Sequence, residues 1–122
     1  MARVITTEEL KKKIDAHAAP YLIDVLAPES YAARHVPGAR NVRKGPDFVE
    51  RFEKEIGAPK DAEIIVYCSS NTCTASPIAA GQLESAGYAN VAHYKDGLAG
   101  WQQAGLAFSA ESGPSLGGES TQ

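Results

Sequence analysis

Short apolar runs separated by segments of helical spacing run the length of this chain, and that alternation leaves few folds open to it. Tyr21-Leu22-Ile23-Asp24-Val25, Ile64-Ile65-Val66-Tyr67 and Val91-Ala92-His93-Tyr94 read as strands, and Asn41-Val42 as a shorter one. Between them, Phe48, Val49, Phe52 and Ile56 recur at helical spacing, and residues 74–86 read as a helix stopped by Gly87. Strands that alternate with helices pair in parallel, and a parallel sheet needs helices on both faces. With 122 residues, 43% of them hydrophobic, the chain can build one such core without metal or disulfide support.

The remaining elements follow from local signals. Thr6-Thr7-Glu8-Glu9 offers a capping box, Thr6 as N-cap and Glu9 at its third helical position, with Ile5 stapled to Leu10 and a helix to about residue 17. Pro28 opens a brief helix to residue 34, Val36-Pro37-Gly38-Ala39 makes a turn, and residues 98–104 form the last helix. From Ser109 onward the chain is too poor in apolar residues to offset the entropy of ordering it. We therefore expect one domain over residues 1–108 and a flexible C-terminal tail over residues 109–122.

Basic and acidic residues, 12 and 15 in number, are interspersed, and the net charge is −3. That distribution provides no nucleic-acid surface. No apolar stretch resembles a secretory signal, and none approaches the roughly 20 residues of a membrane span. The expected location is the cytoplasm, with no nucleic-acid or membrane partner. Reducing conditions there disfavour a static structural disulfide between the two cysteines and still allow a transient one.

Chemistry concentrates at Cys68, which ends the run Ile64-Ile65-Val66-Tyr67 and is followed by Ser69-Ser70-Asn71-Thr72-Cys73 and then a helix. In parallel sheets, ligands and reactive groups collect beyond the carboxyl ends of the strands. If the loop curls, the backbone N–H groups of residues 69–74 surround a thiolate at Cys68, and the helix N-terminus adds to its stabilisation. A cysteine at a strand end also packs as a small core residue. The absence of any bulky side chain between Cys68 and the helix favours the reactive role. Nothing in the pattern requires a metal or a cofactor.

These segments together resemble the single-domain rhodanese family over about residues 4–106. The resemblance rests on Leu22-Ile23-Asp24-Val25, on Glu29 through His35-Val36-Pro37-Gly38-Ala39, on Ile65-Val66-Tyr67-Cys68, and on Gly97-x-x-x-Trp101-x-x-x-Gly105. It implies a three-layer α/β domain with a central, mainly parallel five-stranded sheet, helices on both faces and Cys68 just after a central strand. It also implies sulfane sulfur transfer: Cys68 takes sulfur from a small donor as a persulfide and passes it to a thiol or another nucleophile, with Ser69, Ser70, Asn71, Thr72 and Thr74 as the cradle. Asp24 and His35 are expected to support neighbouring loops, and Trp101 to anchor the core.

Departures from the family pattern sharpen this expectation. Cys73 stands where rhodaneses commonly carry arginine, Leu26 replaces the arginine after the strand aspartate-valine, and Ser69 follows the reactive cysteine where a basic residue is frequent. A cradle without fixed cations predicts poor use of thiosulfate, a small dianion, and favours persulfides or a protein donor. Thr74 falls where related phosphatases place arginine, which disfavours oxyanion chemistry of that kind. Cys73 either resolves an adduct on Cys68 as a disulfide, to be reduced by a thioredoxin-like partner or glutathione, or relays sulfur from the loop rim, or is silent. A sulfur-carrier protein is a further candidate partner. A thiol redox protein and a non-catalytic binding module remain the alternatives. Pro77 allows either Thr74 or Ser76 as helix cap.

Overall fold

A computed structural model describes residues 3–110 of the chain. Its elements run β1 (Arg3–Ile5), α1 (Thr7–Asp15), β2 (Leu22–Asp24), α2 (Pro28–Ala33), β3 (Arg40–Asn41), α3 (Phe48–Glu55), β4 (Ile64–Tyr67), α4 (Ala75–Ser85), β5 (Val91–Tyr94) and α5 (Gly97–Gln103). The strands form one parallel sheet in the order β1-β5-β4-β2-β3, so β4 is central. This is the expected three-layer α/β fold.

Strand alternation sorts the side chains into two cores. On one face Ile23, Ile64, Val66, Cys68 and Val91 pack against Phe48 and Phe52 of α3 and Ala79, Ala80 and Leu83 of α4. On the other, Leu22, Ile65, Tyr67, Ala92 and Tyr94 meet Leu10 of α1 and Leu98 and Trp101 of α5. All four β4 residues are buried, as expected of a strand covered on both sides. Full burial of each large aliphatic side chain contributes about 1.5–3 kcal/mol. Trp101 is the core anchor its position predicts, and its indole N–H donates to the Ala107 carbonyl at 2.9 Å.

Local signals set the boundaries. The capping box forms: Thr6 Oγ1 accepts from the Glu9 N–H at 3.1 Å, and Glu9 accepts from the Thr6 N–H at 2.9 Å. Helix α1 stops at Asp15, short of residue 17, because His17 adopts a left-handed φ of 55°. Of the two candidate caps of α4, Thr74 holds the position, without a side-chain hydrogen bond. Pro77 then falls in the first turn, where an N–H has no helical partner to lose.

Two features were not read from the sequence. Strand β1 is an edge strand with only Ile5 buried, too short for alternation to be visible. Ser109, assigned above to the tail, exchanges backbone hydrogen bonds of 2.8 and 2.9 Å with His35 in an antiparallel bridge. Residues 111–122 of the expected tail lie outside the described residues. Among the described residues, no helix is long and apolar enough to cross a membrane.

Candidate functional site

Cys68 leaves the sheet at the carboxyl end of β4 and points to the α4 side, where it is 1% exposed. The five residues that follow curl back. The Cys73 N–H donates to the Ser70 carbonyl at 3.1 Å, and the hydroxyls of Ser70 and Thr72 lie 3.0 Å apart. This turn brings Cys73 over Cys68, with Cα atoms 6.4 Å apart, and the two sulfurs are joined as a disulfide. The separation lies within the usual disulfide range. Cys68 is buried and Cys73 half-buried, so Cys73 is the more exposed of the two bonded residues.

The cradle is held from outside as well. The first turn of α5 donates its Leu98 N–H to the Cys68 carbonyl at 3.1 Å and its Ala99 N–H to the Ser69 carbonyl at 2.8 Å. This approach requires a glycine at the start of α5, since Gly97 has φ +61° and an added Cβ would lie 2.9 Å from the Ser69 carbonyl carbon. The glycine of the C-terminal signature thus fixes the loop that carries the thiol. Ser69, Asn71, Thr72 and Thr74 are exposed and Ser70 is half-buried. A cavity of about 390 Å³ lies beside them, lined in part by Thr7, Ser70, Asn71, Asp96 and Gly100.

Asp24 and His35 take structural positions. Asp24, in register with Tyr67, is fully buried, and its Oδ1 accepts the Leu26 N–H at 2.8 Å. Burial pushes its carboxyl pKa above the usual range, and the Leu26 amide opposes that rise. The same loop is held by Asn41, which the sequence did not mark; its Nδ2 donates to the carbonyls of Asp24 and Leu26 at 3.0 and 2.8 Å. His35 bonds through Nδ1 to the Tyr31 carbonyl at 2.8 Å and stacks on the Tyr31 ring at 3.9 Å.

Two polar side chains that the sequence did not mark as site residues stand in line from the Cys68 sulfur. Ser76, in the first turn of α4 and 1% exposed, places Oγ 3.1 Å from Cys68 Sγ. The same Oγ lies 2.7 Å from His93 Nε2 on β5. Alternation along β5 was the available signal, because it puts His93 on the face of Val91, toward α4. Burial lowers the His93 pKa, and Lys95 lowers it further. Cys68 therefore sits at the positive end of an eleven-residue helix with a hydroxyl against its sulfur, an arrangement that stabilises a sulfur anion.

Comparison with known proteins agrees with this geometry. The family model for the rhodanese-like domain matches residues 6–104. An HTH-type transcriptional regulator of Mycobacterium tuberculosis, Rv0324, is 33% identical over 102 residues, covering 84% of this chain and 42% of that protein. The chain spans between 22% and 60% of the length of the curated relatives it matches. The Alr3790 protein of Anabaena superposes with a TM-score of 0.76 at 26% identity, covering 88% of this chain and 92% of that one. A thiosulfate sulfurtransferase of Pseudomonas aeruginosa does so with a TM-score of 0.73 at 29% identity, covering 90% of this chain and 20% of that one. The match of the family model over nearly the whole described domain, with Cys68 at the end of the central strand, establishes that the chain belongs to the rhodanese-like domain family.

Proposed function

We propose that the protein is a two-cysteine thiol enzyme whose cycle is the making and breaking of the Cys68–Cys73 bond. The observation that carries this reading is the bond itself, formed at the carboxyl end of the central strand with a Cα separation of 6.4 Å. In the reducing direction, a thiolate of a dithiol such as a thioredoxin-like protein attacks Cys73 Sγ, which belongs to the more exposed cysteine. The disulfide breaks, and its electron pair leaves with Cys68 Sγ, which the α4 terminus stabilises. The second thiol of the reductant, as thiolate, then attacks the mixed disulfide, frees Cys73 as thiolate and leaves the reductant oxidised.

The family favours sulfane sulfur as a substrate of the same site. A similar structure is that of a thiosulfate sulfurtransferase, and a relative in Bacillus subtilis carries the name putative sulfurtransferase YtwF. Here the Cys68 thiolate attacks the outer sulfur of a persulfide donor, RS–SH, and a thiolate RS⁻ leaves. The resulting Cys68 persulfide has two exits. An acceptor thiolate takes the outer sulfur and restores the Cys68 thiolate, or Cys73 thiolate attacks Cys68 Sγ, expels HS⁻ and closes the disulfide. The bonded geometry of the two sulfurs supports the second exit. The donor is a small persulfide or a sulfur-carrier protein rather than thiosulfate, because the cradle residues Ser69 to Thr74 include no arginine or lysine. Such a cycle fits a reducing compartment, the cytoplasm, where a disulfide persists only while it turns over.

Peptide mapping after treatment of the reduced protein with glutathione persulfide tests both readings. Wild type should yield the Cys68–Cys73 disulfide and free sulfide, and Cys73→Ser should accumulate one added sulfur on Cys68. Equal Cys68 persulfide in both proteins removes Cys73 from the mechanism. Disulfide cycling with no sulfur gained by either protein removes sulfane sulfur and leaves thiol redox chemistry.

A further inference from the structure

Ser76 and His93 form a polar chain from the reactive sulfur to the edge of the core. Ser76 Oγ stands 3.1 Å from Cys68 Sγ and 2.7 Å from His93 Nε2, and Ser76 itself is 1% exposed. A hydroxyl has one proton to donate and two lone pairs to accept with. Placed between a sulfur and an imidazole, it passes a proton either way by giving one and taking one. His93 lies one pleat beyond the buried Val91, toward the carboxyl edge of the sheet, and is half-buried, at the boundary between core and solvent. We propose that Ser76 and His93 are the proton relay of Cys68, Ser76 as a catalytic residue in contact with the reacting sulfur and His93 as a positioning residue that exchanges the proton with solvent. This rests on the reading that Cys68 passes through a thiolate.

When the disulfide breaks, the electron pair departs on Cys68 Sγ. Protonated His93 donates Nε2–H to Ser76 Oγ, and Ser76 turns its own O–H to the sulfur, so the reduced site rests as a Cys68 thiolate facing an imidazolium through the hydroxyl; full transfer along the chain converts this pair into a thiol and a neutral imidazole. Before Cys68 attacks a donor, the thiol proton passes to Ser76 Oγ while the hydroxyl proton passes to Nε2. One proton moves in each direction, and no electron is gained or lost by the relay.

The surroundings of His93 make this linkage readable. Its in-register neighbours on β4 and β1 are Val66 and Val4, the group that meets it from α4 is the Ser76 hydroxyl, and Lys95 on its own segment is the charged side chain that acts on it. In the disulfide form, burial and then Lys95 hold its pKa below the usual histidine range. An anion at Cys68 opposes both effects, so reduction of the disulfide draws a proton onto His93.

NMR titration of the His93 imidazole in the oxidised and reduced full chain tests the linkage, alongside the pH profile of Cys68 alkylation by iodoacetamide in Cys73→Ser. His93 should titrate at higher pH in the reduced protein, and Ser76→Ala should abolish the difference while Ser76→Thr retains it. In the Cys73→Ser background, His93→Gln should move the midpoint of the alkylation profile to higher pH, because the imidazolium that favours the thiolate is gone. Identical His93 titration in the two redox states, or an alkylation profile unchanged by His93→Gln, would overturn the relay. The alkylation arm needs neither a disulfide nor a sulfur donor, so it decides the relay even if the proposed cycle fails.

Discussion

Replacing Gly97 by alanine should loosen the cradle more than any comparable change at a turn glycine. The residue has φ +61°, where alanine costs about 1–2 kcal/mol. An ideal Cβ there would lie 2.9 Å from the Ser69 carbonyl carbon and 3.0 Å from the Ser70 nitrogen, with the Cys68 carbonyl oxygen nearer still. These are backbone atoms, held by the Leu98 and Ala99 N–H donors at 3.1 and 2.8 Å, and they cannot move aside without lengthening those bonds. Overpacking of this kind costs about 1–3 kcal/mol. The combined loss, about 2–5 kcal/mol, is a large part of the 5–15 kcal/mol that holds a typical domain. Gly105→Ala is the control, since Gly105 has φ +74° and an added Cβ meets nothing within 4 Å. Urea unfolding of both variants as reduced proteins, at unchanged m-value, should place Gly97→Ala lower by about 1–3 kcal/mol. Loss of stability equal in the two variants would refute a steric role for Gly97 at the cradle.

Two further substitutions probe the supports of the site. Asp24 has a raised pKa in the folded state, so folding binds its proton more tightly than the unfolded chain does. The stability it contributes is complete below the unfolded aspartate pKa and is lost as pH rises through the folded value. The stability of Asp24→Asn relative to wild type should therefore increase from acid to neutral pH in parallel denaturation series, and a flat or falling difference contradicts the burial argument. Tyr67→Phe removes the buried hydroxyl that accepts the Val36 N–H at 3.0 Å, and the orphaned amide should cost about 1–3 kcal/mol in urea unfolding. A loss below about 0.5 kcal/mol would mean that the amide finds another partner.

The parts of this molecule legible in its sequence are those encoded by neighbouring residues. Ile64-Ile65-Val66-Tyr67 reads as a buried strand because all four residues are apolar, and Cys68 at its end follows directly. Thr6 and Glu9 announce the start of α1 through atoms three residues apart. What could not be read depends on the path of the chain. The disulfide requires five residues of loop torsion to bring Cα atoms to 6.4 Å, and composition does not fix those torsions. The Ser76–His93 contact joins a helix to a strand 17 residues away, and only the packing of α4 on β5 creates it. Strand β1 draws its place from pairing with β5, not from its own pattern, and Ser109 draws its place from His35.

A redox titration of the full chain in glutathione buffers, quenched by alkylation and read by peptide mapping, measures the Cys68–Cys73 equilibrium itself. A two-cysteine cycle requires a single transition between the Cys68, Cys73 dithiol and one intramolecular disulfide, with the two-electron slope of about 30 mV per tenfold change in the ratio of the forms. Persistence of both free thiols across the oxidising buffers, or the appearance of only mixed and intermolecular disulfides, would contradict it.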